Sequence, residues 1–147
     1  MSDAPELAPL PAPDDSPLWA PFWAATQEGR LAFMRCSHCG NGFLPARLEC
    51  PKCLSPGAQW ESASGGARLI SWVVYHRPPN PAFADRVPYT VAIVELDEGP
   101  RMTTNITGVA DPESLSIEQR LVLRIEQEGD VAVPRFAPAV PRIEPRK

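Results

Sequence analysis

Arg35-Cys36-Ser37-His38-Cys39-Gly40 and Glu49-Cys50-Pro51-Lys52-Cys53 hold all four cysteines of the chain. Each Cys-x2-Cys makes a tight turn that can present two thiolates to one ion, and two such turns complete a tetrahedral S4 set. Gly40 directly after Cys39 suits the tight backbone of a knuckle, and Pro51 stiffens the second pair. Between the pairs, Phe43-Leu44-Pro45 leads out and Arg47-Leu48-Glu49 returns, enough for a hairpin. The expected centre is Cys36, Cys39, Cys50 and Cys53 around a structural zinc, with iron as the less favoured ion. Disulfides are disfavoured in a cytoplasmic chain, and a redox Cys-x2-Cys needs one pair on a βα turn, not two symmetric pairs. A closed S4 site leaves no position for water or substrate, so its expected role is folding. A structural zinc in such a module supplies on the order of 10 kcal/mol.

Outward from the cysteines, the chain reads as five segments. Residues 1–15 form a proline-rich arm, with Pro5, Pro9, Pro11 and Pro13, and residues 139–147 a tail; both lack apolar periodicity. In 16–33, Ser16-Pro17 opens a helical start, a helix runs over about 21–28, and Gly29 ends it. Leu18, Trp19, Phe22 and Trp23 give that helix an apolar stripe, which must dock on something in so short a helix. Trp19, Phe22 and Trp23 are therefore the expected docking surface for a partner, or for a second copy in a homodimer. Residues 34–61 are the ribbon, and Ser62-Ala63-Ser64-Gly65-Gly66 separates it from the C-terminal half of the chain.

Residues 62–138 carry a strand pattern. Arg68–His76 is rich in β-branched and aromatic residues. Tyr89–Leu96 is apolar on both faces and reads as a fully buried strand. Asp97-Glu98-Gly99-Pro100 turns it into Arg101–Thr107. Asp111-Pro112-Glu113 starts one helical turn, Leu121, Leu123 and Ile125 alternate with Val122, Arg124 and Glu126, and Glu128-Gly129-Asp130 turns into Val131–Phe136. Five strands with a short helical turn between the third and fourth suit an oligomer-binding (OB) barrel. The expected fold is mainly β: a rubredoxin-like zinc ribbon, then a five-stranded OB barrel, with a short N-terminal helix in front.

The function classes narrow in the same way. The net charge of −4 disfavours a nucleic-acid grip, which usually shows a basic surplus. The apolar runs fall far short of the 18–20 or so residues that cross a bilayer, and residues 1–15 lack the pattern of a secretory signal. The expected location is the cytoplasm. No cysteine is left over from the metal set, and only His38 and His76 are present as imidazoles. Nucleophile-elbow, phosphate-loop and dinucleotide motifs are all missing, so no catalytic set is expected. His76 beside Arg77 is the best lone acid–base candidate, and a structural or exposed histidine is the better reading of it.

Pro21-Phe22-Trp23, Glu28-Gly29-Arg30-Leu31, the two cysteine pairs, Pro45-Ala46-Arg47, Tyr75-His76-Arg77-Pro78-Pro79, Val94-Glu95-Leu96-Asp97-Glu98-Gly99-Pro100 and Val133-Pro134-Arg135-Phe136 together resemble the DUF35 family, a zinc ribbon joined to an OB fold. The likeness spans about residues 16–138, and Ile117-Glu118 departs from the family's frequent Ile-Gly. It implies an accessory subunit that scaffolds or completes a thiolase-like or hydratase-like enzyme of acyl-CoA, lipid or steroid metabolism, including retro-aldol steps. Acyl-CoA is the implied ligand. Trp72, Tyr75 and Phe83 are the candidates for stacking or apolar contact, and Arg77, Arg86, Arg101 and Arg135 for phosphate. The alternative is a single-stranded nucleic-acid-binding ribbon and barrel.

Overall fold

The structure is a computed structural model and describes residues 12–139. The expected arm and tail thus fall largely outside the described residues. The helix α1 spans Ala20–Gln27. Ser16 contributes its carbonyl rather than a side-chain cap, accepting from the N–H groups of Trp19 and Ala20 at 2.9 Å. At the other end Gly29 has φ 81°, and the Arg30 N–H reaches back to the Ala25 carbonyl at 2.9 Å. Only a residue free to adopt the left-handed region closes the helix in this way.

The ribbon is a small antiparallel sheet in the order β2–β1–β3, with β1 at Ala32–Arg35, β2 at Gly42–Phe43 and β3 at Gln59–Ser62. The barrel comprises β4 (Gly66–Tyr75), β5 (Tyr89–Leu96), β6 (Arg101–Ile106), β7 (Arg120–Glu128) and β8 (Val131–Pro138). Its order around the closed sheet is β4–β5–β6–β8–β7, with β6 and β8 parallel. That is the order of an OB barrel, and the short helical turn at Pro112–Ser114 sits between β6 and β7 as expected. Among the described residues, no helix is long and apolar enough to cross a membrane.

Alternation fills the barrel. Thr90, Ala92, Val94 and Leu96 of β5 point inward, with Leu69, Leu121 and Phe136 from neighbouring strands. A bulge between Leu69 and Ser71 rephases β4, so that Trp72 packs on the core while Val73 and Tyr75 turn outward. Tyr89–Leu96 corrects an expectation. It is not buried on both faces, because no described element covers its outer side. Ile93 remains 41% exposed there, beside Val73 at 55%.

Helix and ribbon are part of the same core. Phe22 and Leu31 are buried within the barrel cluster, and Trp19 and Trp60 pack against both that cluster and the ribbon's own. Phe22 meets Trp19 and Trp23 edge-on, with ring centroids 5.3 and 5.0 Å apart. Such pairs add about 0.5–1.5 kcal/mol beyond the area they bury.

The loop from Arg77 to Pro88 is tied down by charge. Arg86 donates through both terminal nitrogens to Glu128 at 2.9 Å, and Arg135 donates to Glu128 and Glu126 at 2.8 Å. The two guanidiniums, Arg86 foremost, hold the Glu128 carboxyl at about 2, against an ordinary value of 4.5. A carboxyl depressed on folding contributes stability that is fully present above the unfolded value and lost as pH falls toward the folded one. Glu128→Gln is therefore expected to lower stability by about 1–3 kcal/mol at neutral pH. The gap to wild type should close between pH 4.5 and about 2, read from urea midpoints across that range.

Candidate metal centre

The two knuckles converge as their spacing demands. The Sγ atoms of Cys36, Cys39, Cys50 and Cys53 all lie within 4.8 Å of one another, with Cys36 to Cys53 at 3.5 Å and Cys39 to Cys50 at 3.7 Å. Cys36 and Cys50 are buried, while Cys39 is exposed. Each knuckle turns backbone donors onto its first sulfur. The N–H groups of His38 and Cys39 approach Cys36 Sγ at 3.4 Å, and that of Lys52 approaches Cys50 Sγ at 3.4 Å. Gly40 sits at φ 78°, as the tight turn requires.

Sequence reading missed Asn41. Its carbonyl accepts from the Cys36 N–H at 2.8 Å, and its side-chain amide points at Cys50 Sγ at 3.7 Å. The short polar residue two positions after Cys39 was the available signal. His38, inside the first knuckle, is exposed.

Electrostatics favours a cation here. Burial opposes ionisation of Cys50, yet the N–H groups of Cys53 and Lys52 bring its thiol down to about 6. Cys39 goes the other way, up to about 11: the Asn41 N–H favours its thiolate, but burial and the three neighbouring thiols outweigh it. Four sulfurs this close cannot all ionise without positive charge between them. Four thiolates around a small tetrahedral volume fit a d10 divalent ion, and all four positions are taken by protein. The set can hold a structure together and has no vacancy for substrate.

Of the residues proposed for ligand binding, Phe83, Arg86 and Arg135 line one cleft, and Trp72, Tyr75, Arg77 and Arg101 are not part of that lining. Arg86 and Arg135 meet Glu128, and Arg101 meets Glu95 at 2.9 Å. Trp72 packs on the barrel core. Tyr75 and Phe83 do come together through Tyr89, with ring centroids 5.3 and 6.0 Å from it. Phe83, Tyr89 and His76 line a cleft of about 700 Å3 whose charged residues are Arg86 and Arg135 with Asp111, Glu113, Glu126 and Glu128. Arg77 is exposed and forms no ion pair among the described residues. A second cleft, also about 700 Å3, runs between α1 and β6 and is walled by Trp19, Phe22, Trp23, Leu44 and Pro45. The three aromatic residues expected to form a docking surface thus divide, with Phe22 buried and the two tryptophans half-buried along this groove.

Because Trp60 and Leu31 carry the ribbon into the barrel core, losing the metal should be felt throughout. Removing it with a strong chelator, or changing Cys36 to Ser, is expected to lower the thermal midpoint of the whole chain, with ribbon and barrel unfolding in one transition. Near-ultraviolet circular dichroism of the tryptophans and far-ultraviolet ellipticity, tracked together, check this; a barrel transition unmoved by chelation would contradict it.

Comparison with known proteins agrees with this architecture. A family model described as the ChsH2 rubredoxin-like zinc ribbon domain matches residues 23–58, and one for the ChsH2 C-terminal OB-fold domain matches residues 60–126. A probable enoyl-CoA hydratase alpha subunit of Thermomonospora curvata is 40% identical over 94% of this chain, which spans 42% of that relative's length. A DUF35 domain-containing scaffold protein of Methanothermobacter thermautotrophicus is 40% identical over 73% of this chain and 82% of its own. Among solved structures, a chain of the Ltp2-ChsH2(DUF35) aldolase superposes with a TM-score of 0.77 at 35% identity, covering 88% of this chain and all of that one. With its four-cysteine ribbon leading into an OB barrel, this chain belongs to the DUF35 family.

Proposed function

We propose that the chain is an accessory subunit, without catalytic groups of its own, that scaffolds a thiolase-like or hydratase-like enzyme acting on acyl-CoA. The observation that carries this reading is the match in length and fold to the DUF35 chain of the Ltp2-ChsH2 aldolase. The hydratase alpha-subunit name of the Thermomonospora relative supports the same class of partner. In this reading zinc sits on Cys36, Cys39, Cys50 and Cys53 and fixes the pose of the ribbon, and its contribution is to folding.

Acyl-CoA contact, on this proposal, is shared with the enzyme. Phe83 and Tyr89 offer aromatic faces for the adenine or the pantetheine arm, and Arg77, exposed and outside that lining, offers a cation with no ion pair among the described residues. Asp111, Glu113 and Glu126 in the same lining repel phosphates, and Arg86 and Arg135 there are already matched to Glu128, so the chain alone is a poor CoA binder. The nucleic-acid alternative needs free cations along a groove, and Arg68, Arg86, Arg101, Arg120 and Arg135 are each matched to a carboxylate.

The test is purification of the tagged full chain from its native host, identification of the co-purifying enzyme, and reconstitution from recombinant parts. The expected outcome is a stoichiometric complex that binds acyl-CoA at least about tenfold more tightly than the chain alone, about 1.4 kcal/mol. No stable enzyme complex, or tight salt-dependent binding of single-stranded oligonucleotides instead, would overturn the reading.

A further inference from the structure

The groove between α1 and β6 has an unusual floor. Strand β6 is paired to β5 along its length, from Glu95↔Arg101 to Thr90↔Ile106. On its other side it meets β8 at one register point, Ile106↔Phe136. The Leu96 N–H bonds the Pro100 carbonyl at 2.8 Å across the turn. Bonded and non-bonded pairs alternate along an antiparallel ladder. Residues 102 and 104 therefore face their N–H and C=O toward β5, while Arg101, Thr103 and Asn105 face theirs the other way. The Thr107 N–H, of the same parity, does point across to the Phe136 carbonyl at 2.8 Å, which fixes the sense of the alternation. Ahead of that bridge the Thr104 hydroxyl still bonds the Pro134 carbonyl of β8 at 3.0 Å, and no described strand pairs with the outward edge of Arg101–Thr103.

The groove is lined by Trp19, Trp23, Leu44, Pro45 and Met102, with Val133 and Pro134 of β8 alongside and the polar side chains of β6 at its floor. One buried donor there is unpaired. The indole Nε1 of Trp23 is buried and has no acceptor among the described residues. Buried N–H groups in native proteins are nearly always paired, and an orphan donor beside a groove calls for an acceptor in it.

We propose that this groove is the site where the partner enzyme docks an extended segment of its own chain, adding a strand to the free edge of β6. The inference rests on the accessory-subunit reading above and specifies its interface. The chemistry selects a peptide main chain over other occupants. An acyl tail or the apolar face of a helix would cover the backbone groups of Arg101 and Thr103 and leave them dry and unpaired, at a cost of about 1–3 kcal/mol each. An extended segment offers alternating N–H and C=O groups to β6, as in other strand-addition complexes. Its carbonyls can accept from Trp23 Nε1, and apolar side chains at every second position can meet Trp19, Trp23 and Met102. The open edge is three residues, Arg101–Thr103, because Thr104 and Asn105 already meet β8, room for a partner strand of about 10 Å at 3.4 Å per residue.

The test uses the reconstituted complex of the full chain with its co-purified enzyme. Thr103→Pro removes the outward N–H at a position where an edge strand tolerates proline, and it is expected to weaken the complex by at least tenfold. Trp23→Phe keeps an aromatic ring beside Phe22 and deletes the orphan donor; affinity is expected to fall about fivefold at a temperature where the free variant is fully folded. A merely structural Trp23 would lower the thermal midpoint and leave the affinity of the folded variant at the wild-type value. Ile117→Lys, exposed between β6 and β7 and not part of the groove lining, is expected to bind as wild type. In the wild-type complex, hydrogen exchange at the Thr103 amide is expected to slow at least tenfold. Wild-type affinity in both groove variants, with no slowing at Thr103, overturns the groove proposal and leaves the accessory-subunit reading standing. Failure of the wild-type chain to bind any enzyme overturns both.

Discussion

Four sulfur atoms within 4.8 Å of one another are tolerable as thiolates only when a cation lies among them. The ribbon depends on that constraint, because its sheet is small: β2 is two residues long and β1 and β3 four each. A sheet of this size has too little apolar area to offset the entropy of ordering it. The coordination energy of a structural ion makes up the difference. Once the knuckles are closed, β1 and β3 are held in register, and this places Leu31 and Trp60 against the barrel. Phe22 then completes the end of the barrel core, flanked by two tryptophans. The helix, too short to be stable alone, is ordered by this packing rather than by its own propensity.

The sequence exposed the parts of this arrangement governed by local chemistry. Cysteine spacing named the knuckles, Gly29 marked the helix end, and Asp97-Glu98-Gly99-Pro100 marked a turn, because each depends on residues adjacent in the chain. The five barrel strands were legible from apolar alternation in β7 and from the breaks between runs, whereas the third ribbon strand, Gln59–Ser62, was not. The features that were not legible were set by contacts across long separations. Arg86 and Arg135 looked like phosphate ligands by residue type. Only the fold shows that Glu128, 42 residues beyond Arg86, takes both. Tyr89–Leu96 looked buried on both faces because composition records apolarity, not whether a second layer exists to cover it. The bulge after Leu69 likewise changes which face Trp72 occupies without any glycine or proline in Leu69-Ile70-Ser71 to announce it.

The division of labour between the two clefts comes from charge. In the cleft beside the Arg77–Pro88 loop, the strong cations are already matched by carboxylates, so its electrostatics are largely internal. They anchor the loop and leave little net attraction for an anion. In the groove beside α1 the walls are apolar, and the unpaired polar groups are main-chain ones together with a single indole. Polar groups in such surroundings are worth more when paired and cost more when left alone than they would in water. Specificity for an occupant is therefore greatest at the second cleft.

The seam between β6 and β8 explains why this barrel has a free edge at all. Parallel pairing requires the two strands to run side by side, yet α1 lies along β8 and inserts Phe22 into the barrel beside it. Pro134, midway along β8, has no N–H to give to a ladder. Its carbonyl is taken by the Thr104 hydroxyl at 3.0 Å, a side-chain bond where a ladder bond would otherwise run. The β6–β8 ladder therefore closes at Ile106 and Phe136, with the Thr104–Pro134 bond beside it, and the edge stays unpaired only over Arg101–Thr103. A fold optimised for isolated stability would complete that ladder, since unpaired edges invite association. Here the helix that prevents closure also supplies the apolar wall of the opening, so that the unpaired edge and the surface that would recognise a strand on it come from the same packing decision.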